Sequence, residues 1–343
     1  MAAWDPGLIR RCGDAYQLCG TRHYRLTDGR ADGCRCIDVR TGSGLDFTVV
    51  CDRAMDISLA SYRGVNLAFL APDAEAHPAY YESFGNEWLR TFSAGLLTTL
   101  GPTHLGPACT DGGEALGLHG RLGAVPARRV ADLSDAERGT IELRGTLTDA
   151  AVLCHKLRIR RTIRAGAEHP SLLLTDEVEN FGAQDVPLCM LYHINFGYPL
   201  LSPEAELLVP DTRRTPLDAA AGRGSPTHIA PPDVQNVERN YDYTFPPGAE
   251  SAVVGIWNGA LCGGLGVYIR FDPRQLPHLN EWVLEAPGDY VAALEPSTCL
   301  CKSRSELRRL GVLPVLPAGA RRTLQVEIGV LRGEAERRAL FGN

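Results

Sequence analysis

The chain has 343 residues, of which 44% are hydrophobic and 22% are charged, a composition typical of a globular protein. Its formal net charge is −6 and no block of basic residues occurs, which argues against nucleic acid or an anionic membrane surface as a partner. No apolar run approaches the roughly 20 residues of a membrane span, and the opening MAAWDPGLIRRCGD lacks the pattern of a secretory signal. We therefore expect a cytoplasmic protein.

The eleven cysteines are scattered singly along the chain. The only close pairs are CRC at 34–36 and CLC at 299–301, and one intervening residue is too few for the usual zinc-binding pair. In a chain without an export signal, an odd number of cysteines indicates reduced thiols. We expect neither a disulfide framework, nor a structural metal, nor a cofactor.

Apolar and polar residues alternate with a period of two in several runs, which predicts β-strands. In chain order the clearest runs are GTIELRGTL at 139–147, CHKLRIRRTI at 154–163, GLGVYIRFD at 264–272 and RTLQVEIGVL at 322–331. Two adjacent arginines, Arg160 and Arg161, interrupt the second run and predict a β-bulge. Only SRSELRRLG at 303–311 and RGEAERRALFG at 332–342 are typical of helices, and both are short. The pattern predicts an all-β fold, with residues 1–343 forming one large sandwich-like domain.

Three stretches place titratable or polar side chains inside apolar sequence. Burying such groups costs roughly several kcal/mol unless they find partners, so each is either a satisfied core residue or part of a ligand site. An imidazole and a carboxylate together are the minimum set for general acid–base catalysis near neutral pH. The stretches are 86–129 with Arg90, His104 and His119, 188–201 with His193 and Asn195, and 275–298 with Glu295.

Other chemistries have weaker support in the sequence. There is no Gly-x-Ser-x-Gly nucleophile motif, no phosphate-binding loop before a helix and no His-Glu-x-x-His motif. Cys154 adjoins His155, but this pair lies in a basic alternating run and is interpreted as structural. A metal held by His119, His193 and Glu295 stays open as an alternative.

Three further segments are informative together, in this order: LHGRLGAVPA at 118–127, LYHINFGYPLL at 191–201 and YVAALEPST at 290–298. They resemble the aldose 1-epimerase (galactose mutarotase) superfamily, and in particular its DUF4432 branch. The resemblance extends over roughly residues 30–335. It implies a β-supersandwich with few short helices and an open sugar-binding cleft.

The resemblance also implies roles for individual residues. His193 takes the place of the catalytic acid and Glu295 that of the base, while His119 and Arg90 correspond to substrate-binding positions. Asp242, in RNYDYTF, corresponds to an aspartate that binds sugar hydroxyls, although a tyrosine follows it here where mutarotases have a histidine. The residues themselves add further candidates for contact with the substrate, namely Arg53, Asn195 and Trp282.

The departures from mutarotases are mainly additional arginines. Arg121 stands where mutarotases usually have a second glycine, and CDRAMDI at 51–57 has no clear counterpart. These arginines suggest an acidic or oxidised sugar rather than galactose or glucose.

The expected reaction is the interconversion of sugar anomers by acid–base opening of the cyclic hemiacetal, on a sugar or sugar acid and with no cofactor. One alternative is proton transfer on carbon, as in a keto-sugar isomerase, epimerase or lyase. Another is a carbohydrate-binding protein without catalytic activity. A homodimer is left open.

Overall fold

The computed structural model describes residues 4–209 and 213–342. This part of the chain consists mainly of antiparallel β-strands, as the sequence predicts. The strands are β1 (Gly20–Arg25), β2 (Arg35–Arg40), β3 (Leu45–Val50), β4 (Asp56–Tyr62), β5 (Val65–Asn66), β6 (Leu97–Leu100), β7 (Cys109–Asp111), β8 (Glu114–Leu116), β9 (Arg128–Asp132), β10 (Thr140–Ala150), β11 (Lys156–Gly166), β12 (Ser171–Asn180), β13 (Val186–Pro187), β14 (Leu191–Phe196), β15 (Ala205–Leu208), β16 (Arg213–Pro216), β17 (Arg239–Thr244), β18 (Ala252–Asn258), β19 (Leu265–Phe271), β20 (His278–Ala286), β21 (Asp289–Ser297), β22 (Val315–Leu316) and β23 (Arg321–Arg332).

Nineteen of these strands form two large sheets, while β7 pairs with β8 and β13 pairs with β22 in two small ones. The larger has the order β1-β2-β3-β4-β6-β14-β21-β20-β17-β16, with β5 paired to β4, and the smaller has the order β15-β18-β19-β23-β12-β11-β10-β9. The main apolar cluster takes side chains from both sheets, for example Ile194 and Leu294 from the larger and Leu174 and Val326 from the smaller. Alternation along each strand gives one face to this core and leaves the other for polar residues.

A buried ion network joins the two sheets and contradicts the predicted β-bulge. The pairing of β11 with both neighbours continues without a register shift, so Arg161 follows the alternation and points inward. Its guanidinium donates to Asp176 at 2.6 and 2.8 Å and to Asp56 at 2.8 Å. Asp56 belongs to the larger sheet, where it also accepts from the hydroxyl of Thr99 at 2.6 Å. The second arginine is therefore an inward-facing residue with charged partners, and no extra residue is inserted.

Helices are few and short, as predicted. The α-helices are α1 (Arg304–Arg309), which begins after Ser303, and α2 (Gly333–Phe341). The Ser303 side chain accepts from the backbone N–H of Glu306, as expected of an N-cap. Single-turn 3₁₀ segments include Glu87–Thr91. No helix in the described ranges is long and apolar enough to cross a membrane.

Candidate active site

Four neighbouring strands of the larger sheet carry polar side chains in one row. The register of β14 with β21 sets His193 opposite Glu295. Strand β20 places Asn280 opposite Glu295, and β17 places Asp242 opposite Asn280. Directly opposed residues point to the same face of a sheet. These four residues, which we call the polar row, therefore lie side by side on the face away from the core.

His193 and Glu295 are in direct contact within the polar row. Nε2 of His193 lies 3.1 Å from Oε1 of Glu295, and the two side chains are 7% and 2% exposed. Burial lowers the pKa of His193 to about 3. Burial also raises the pKa of Glu295 to about 8, although the hydrogen bond from Asn280 acts in the opposite direction. Since burial disfavours a net charge on this pair, the two groups as a unit hold one proton at neutral pH.

Asn280 and Asp242 extend the row away from this pair. Nδ2 of Asn280 donates to Oε2 of Glu295 at 2.9 Å. Asp242 is buried, which raises its pKa to about 6, while the charge of Lys302 lowers it. Within the described residues, no hydrogen bond reaches Nδ1 of His193, Oδ1 of Asn280 or Oδ1 of Asp242. Buried polar atoms without protein partners are costly, and such atoms are often paired by a ligand or by water.

Part of the row opens into a cavity of about 470 Å³. This is within the range of small-molecule sites, roughly 300–1,000 Å³. One wall is aromatic, because Trp88 stacks on Phe92 at 4.5 Å and Phe92 lies 5.3 Å from the ring of His193. Trp282 approaches the same imidazole edge-on at 5.6 Å. The cavity is lined by Asn86, Trp88, Leu89, Phe92, Gly106, Pro107, Leu118, His119, His193, Leu217, Asp218, Glu238, Asn240, Asn280, Trp282, Glu295 and Cys301.

His119 reaches the cavity from a tight turn. Its backbone is left-handed, with φ of 59°, and its ring packs against Trp88 at 4.7 Å. Nδ1 accepts a hydrogen bond from the backbone N–H of Gly106 at 3.3 Å. Burial, together with the nearby His193 and His104, lowers the pKa of His119 to about 3. The imidazole is therefore neutral, and since Nδ1 is the acceptor, Nε2 carries the proton as a donor.

The structure brings together four of the eight residues to which the sequence analysis gives a catalytic or substrate-binding role. His119, His193, Trp282 and Glu295 all line the cavity. Asn195 lies behind it, fully buried, and donates from Nδ2 to the carbonyls of Gly95 and His193 at 2.9 and 3.1 Å. Asn195 therefore supports the strand that carries His193.

The other three predicted contact residues do not line the cavity. Arg53 is buried elsewhere and donates to the carbonyl of Ala76 at 3.0 Å. The side chain of Arg90 is 74% exposed and pairs with Glu87 at 2.6 Å, although neighbouring residues of its 3₁₀ segment reach the cavity. Asp242 lies one strand beyond Asn280 in the polar row. Neither arginine is part of the cavity lining, and their substrate-binding roles stay predictions.

The charges around the cavity argue against an acidic substrate. Its lining residues within the described chain include the carboxylates Asp218 and Glu238 and the protonated Glu295, but no arginine or lysine. An anionic sugar would thus meet carboxylates and no compensating cation. The expectation of an acidic or oxidised sugar rested on arginines that lie elsewhere.

Several residues that line the cavity were not identified from the sequence. Trp88 and Phe92 belong to an irregular segment with no periodic pattern, whereas Glu238 is fixed by its hydrogen bond with Trp282 Nε1, at 3.0 Å. Asn280 had a usable signal, since it precedes Trp282 by two residues and so shares its face in an extended segment, here β20. Among the described residues, no group of three or more His, Cys, Asp or Glu side chains is arranged to hold a metal ion, so the His119, His193 and Glu295 triad is not such a group.

Comparison with solved structures supports the fold. The chain superposes on a proposed aldose 1-epimerase from Klebsiella pneumoniae with a TM-score of 0.83 and 21% identity, over 95% of this chain and 92% of the other. A galactose mutarotase-like protein from Clostridium acetobutylicum gives 0.66 and 12%, over 92% and 99%. Galactose 1-epimerase from Lactobacillus acidophilus gives 0.59 and 13%, over 92% and 100%.

At these identities the likeness establishes the galactose mutarotase-like fold. None of the curated proteins matches the sequence. A model of the family described as "Domain of unknown function (DUF4432)" matches residues 31–330. The chain therefore belongs to the DUF4432 family.

Proposed function

We propose that the protein is an aldose 1-epimerase-type isomerase that interconverts sugar anomers, with His193 and Glu295 as the acid–base pair. The observation that carries the proposal is the 3.1 Å contact between His193 Nε2 and Glu295 Oε1 at the cavity. The two oxygens of a cyclic hemiacetal are bonded to one carbon, so the groups that exchange protons with them must lie close together. This pair meets that requirement.

Ring opening needs one proton donor and one acceptor. One member of the pair gives its proton to the ring oxygen while the other takes the proton of the anomeric hydroxyl, and the bond between the anomeric carbon and the ring oxygen breaks. The aldehyde group of the open-chain sugar then rotates about its bond to the next carbon. The two proton transfers run in reverse, and the ring closes with the opposite anomeric configuration. The single proton held by the pair is conserved over the cycle.

Burial influences where this proton lies before reaction. It favours the uncharged forms of both groups, which places the proton on Glu295 and leaves Nε2 of His193 as the acceptor. The resemblance to mutarotases implies the opposite starting arrangement, with a protonated histidine. Both arrangements contain the same single proton, so we assign the acid and base functions to the pair as a unit.

The remaining lining groups suit the recognition of a sugar. Nε2 of His119 is a donor, whereas Oδ1 of Asn280 is an acceptor with no partner among the described residues. Glu238 adds a carboxylate beside Trp282. The aromatic rings of Trp88 and Trp282 offer apolar surface to the C–H groups of a pyranose or furanose.

Substitution of either member of the pair tests the proposal. We expect His193→Asn and Glu295→Gln each to slow anomer interconversion by about 10²–10⁴-fold, because each removes a proton-transfer group. The double variant should lose little more, since the two groups act together. Polarimetry and NMR line-shape exchange with a panel of aldoses measure the rates, and calorimetry checks that sugar binding is retained.

A matched control is available outside the cavity. His155 also contacts a carboxylate, with Nε2 2.9 Å from Oδ2 of Asp149, and it does not line the cavity. His155→Asn should leave the rate per folded molecule unchanged. Full activity of folded His193→Asn, or an equal loss in the control, would rule out the proposed pair.

Deuterium exchange separates this function from the alternative on the same scaffold. Anomer interconversion exchanges only O–H protons, whereas a keto-sugar isomerase, epimerase or lyase breaks a C–H bond. Incubation with sugars in D₂O should therefore leave the C–H signals intact. Incorporation of deuterium at carbon that depends on Glu295 would favour the alternative.

A further inference from the structure

We propose that Asp242 is a positioning residue that acts on Glu295 across Asn280 and sets the pH range in which Glu295 exchanges its proton, without touching the sugar. The inference rests on the proposed acid–base role of Glu295. It replaces the hydroxyl-binding role that the resemblance to mutarotases implies for Asp242.

The backbone ladder fixes the relation between these three residues. Asp242 lies directly opposite Asn280, and Asn280 lies directly opposite Glu295, on three consecutive strands. Nδ2 of Asn280 donates to Glu295 Oε2 at 2.9 Å. Asn280 and Glu295 both line the cavity, whereas Asp242 does not and is only 5% exposed. Asn280 thus separates the buried carboxylate of Asp242 from the catalytic one.

Three buried oxygen atoms of these residues have no hydrogen-bond partner among the described residues. They are Oδ1 of Asp242, Oδ1 of Asn280 and Oε1 of Glu295. The charge of a buried carboxylate acts strongly on the pKa of neighbouring groups, because little water is present to screen it. In the proposed active site, the group affected in this way is Glu295.

Apart from Asp218 and Glu238 of the cavity lining, the other charged and titratable groups near the row are few. Lys302 acts on Asp242 from the segment after β21, but its ammonium is also paired with Glu306 at 3.1 Å. His278 lies two residues before Asn280 on the same face, and burial lowers its pKa. Cys301 is near both carboxylates and is kept as a neutral thiol, because burial raises its pKa far above the usual value. On the far side of Glu295 lies His193.

Asn280 and Asp242 act on Glu295 with opposite signs. Beyond the dominant effect of burial, the hydrogen bond from Asn280 lowers the pKa of Glu295 and the charge of Asp242 raises it. Burial raises the pKa of Asp242 itself to about 6. Asp242 is therefore mostly ionised above that pH, where its charge opposes the ionisation of Glu295.

The opposite signs give a sharp test. Asp242→Asn removes the charge with little change in shape, so the limb of the kcat/KM profile that belongs to Glu295 should move to lower pH. Asn280→Ala removes the hydrogen bond, so the same limb should move to higher pH. Asp242→Glu restores the charge and should return the limb towards its wild-type position, with KM for the sugar unchanged in both Asp242 variants.

A titration without turnover keeps this test independent of the proposed function. NMR of ¹³C-labelled glutamate and ¹⁵N-labelled histidine follows the Glu295–His193 pair directly, and Asp242→Asn should shift its titration to lower pH even if no sugar is turned over. If the wild type accelerates no sugar but this shift is seen, only the proposed function fails. If the titration is the same in the wild type and Asp242→Asn, or if Asp242→Asn weakens sugar binding at unchanged titration, the inference is overturned.

Discussion

His193 and Glu295 show how two titratable groups can be buried together at low cost. Each group alone would lose much of its hydration on burial. Burial therefore lowers the pKa of His193 and raises that of Glu295, and both shifts favour the uncharged form. Together they hold only one proton at neutral pH, which burial places on Glu295, and Nε2 of His193 lies 3.1 Å from Oε1 of Glu295. The pair is therefore neutral as a whole, and this explains how an apolar strand can carry an imidazole beside a second strand that carries a carboxylate.

A pH dependence of activity follows from the single proton that His193 and Glu295 hold. Since the pKa of Glu295 is raised to about 8 and that of His193 is lowered to about 3, the pair holds one proton at pH values between these limits. Activity should fall above about pH 8, where the pair loses its only proton, and far below neutral pH, where it gains a second. Initial rates across pH, corrected for the uncatalysed reaction, measure both limbs; in Glu295→Gln the alkaline limb should disappear. An activity maximum above pH 9 would contradict the assignment.

At the scale of the elements, β11 is held to the larger sheet by Arg161. This guanidinium is fully buried and its partners, Asp56 and Asp176, are nearly or fully buried as well. The adjacent Arg160 points to the other face, where it pairs with Glu179 at 3.0 Å and is 40% exposed. These two neighbouring arginines should therefore contribute very different amounts to stability.

Substitution of the two arginines by methionine measures this difference. Arg161→Met leaves two carboxylates buried without their cation, so the free energy of unfolding should fall by about 3–5 kcal/mol. Arg160→Met removes only a surface ion pair and should cost less than about 1 kcal/mol. Urea denaturation of both variants provides the comparison. Equal losses would show that the buried network does not hold the sheets together.

The elements also show how far the sequence could be interpreted. Strands with strict alternation, such as those at 139–147 and 322–331, were predictable because one face is buried and the other is not. Arg161 was misinterpreted because its partners lie 105 and 15 residues away, and no local pattern reveals them. Trp88 and Phe92 reach the cavity from an irregular segment. The acid–base pair was predictable because polar residues in apolar strands need partners, and the family resemblance named them.

At the scale of the whole molecule, all eleven cysteines are free thiols. Six are buried, and Cys154 and Cys262 are exposed. Burial raises the pKa of Cys19 and Cys34 to about 11, so these buried groups have little thiolate to react.

The reactivity of these thiols is therefore predicted to divide sharply. A thiol reagent at neutral pH should modify Cys154 and Cys262 rapidly and the six buried cysteines only after unfolding. Absorbance-based thiol titration with and without denaturant counts the exposed and the buried thiols. The double variant Cys154→Ser/Cys262→Ser should lose the rapid phase of modification. A melting temperature that drops on addition of a reductant would instead reveal a disulfide in solution.

The β20–β21 hairpin has a consequence for how members of this family can change in length. Only Pro287 and Gly288 connect the strands, and Gly288 has the positive φ of 87° that suits glycine. Inserting one residue early in β21 would turn Glu295 into the core and expose Leu294 to the substrate, because neighbouring residues alternate between faces. Two inserted residues would restore the face but separate Glu295 from His193 and Asn280. We therefore expect an insertion of either length in this hairpin to abolish the proposed activity, because each one separates Glu295 from His193.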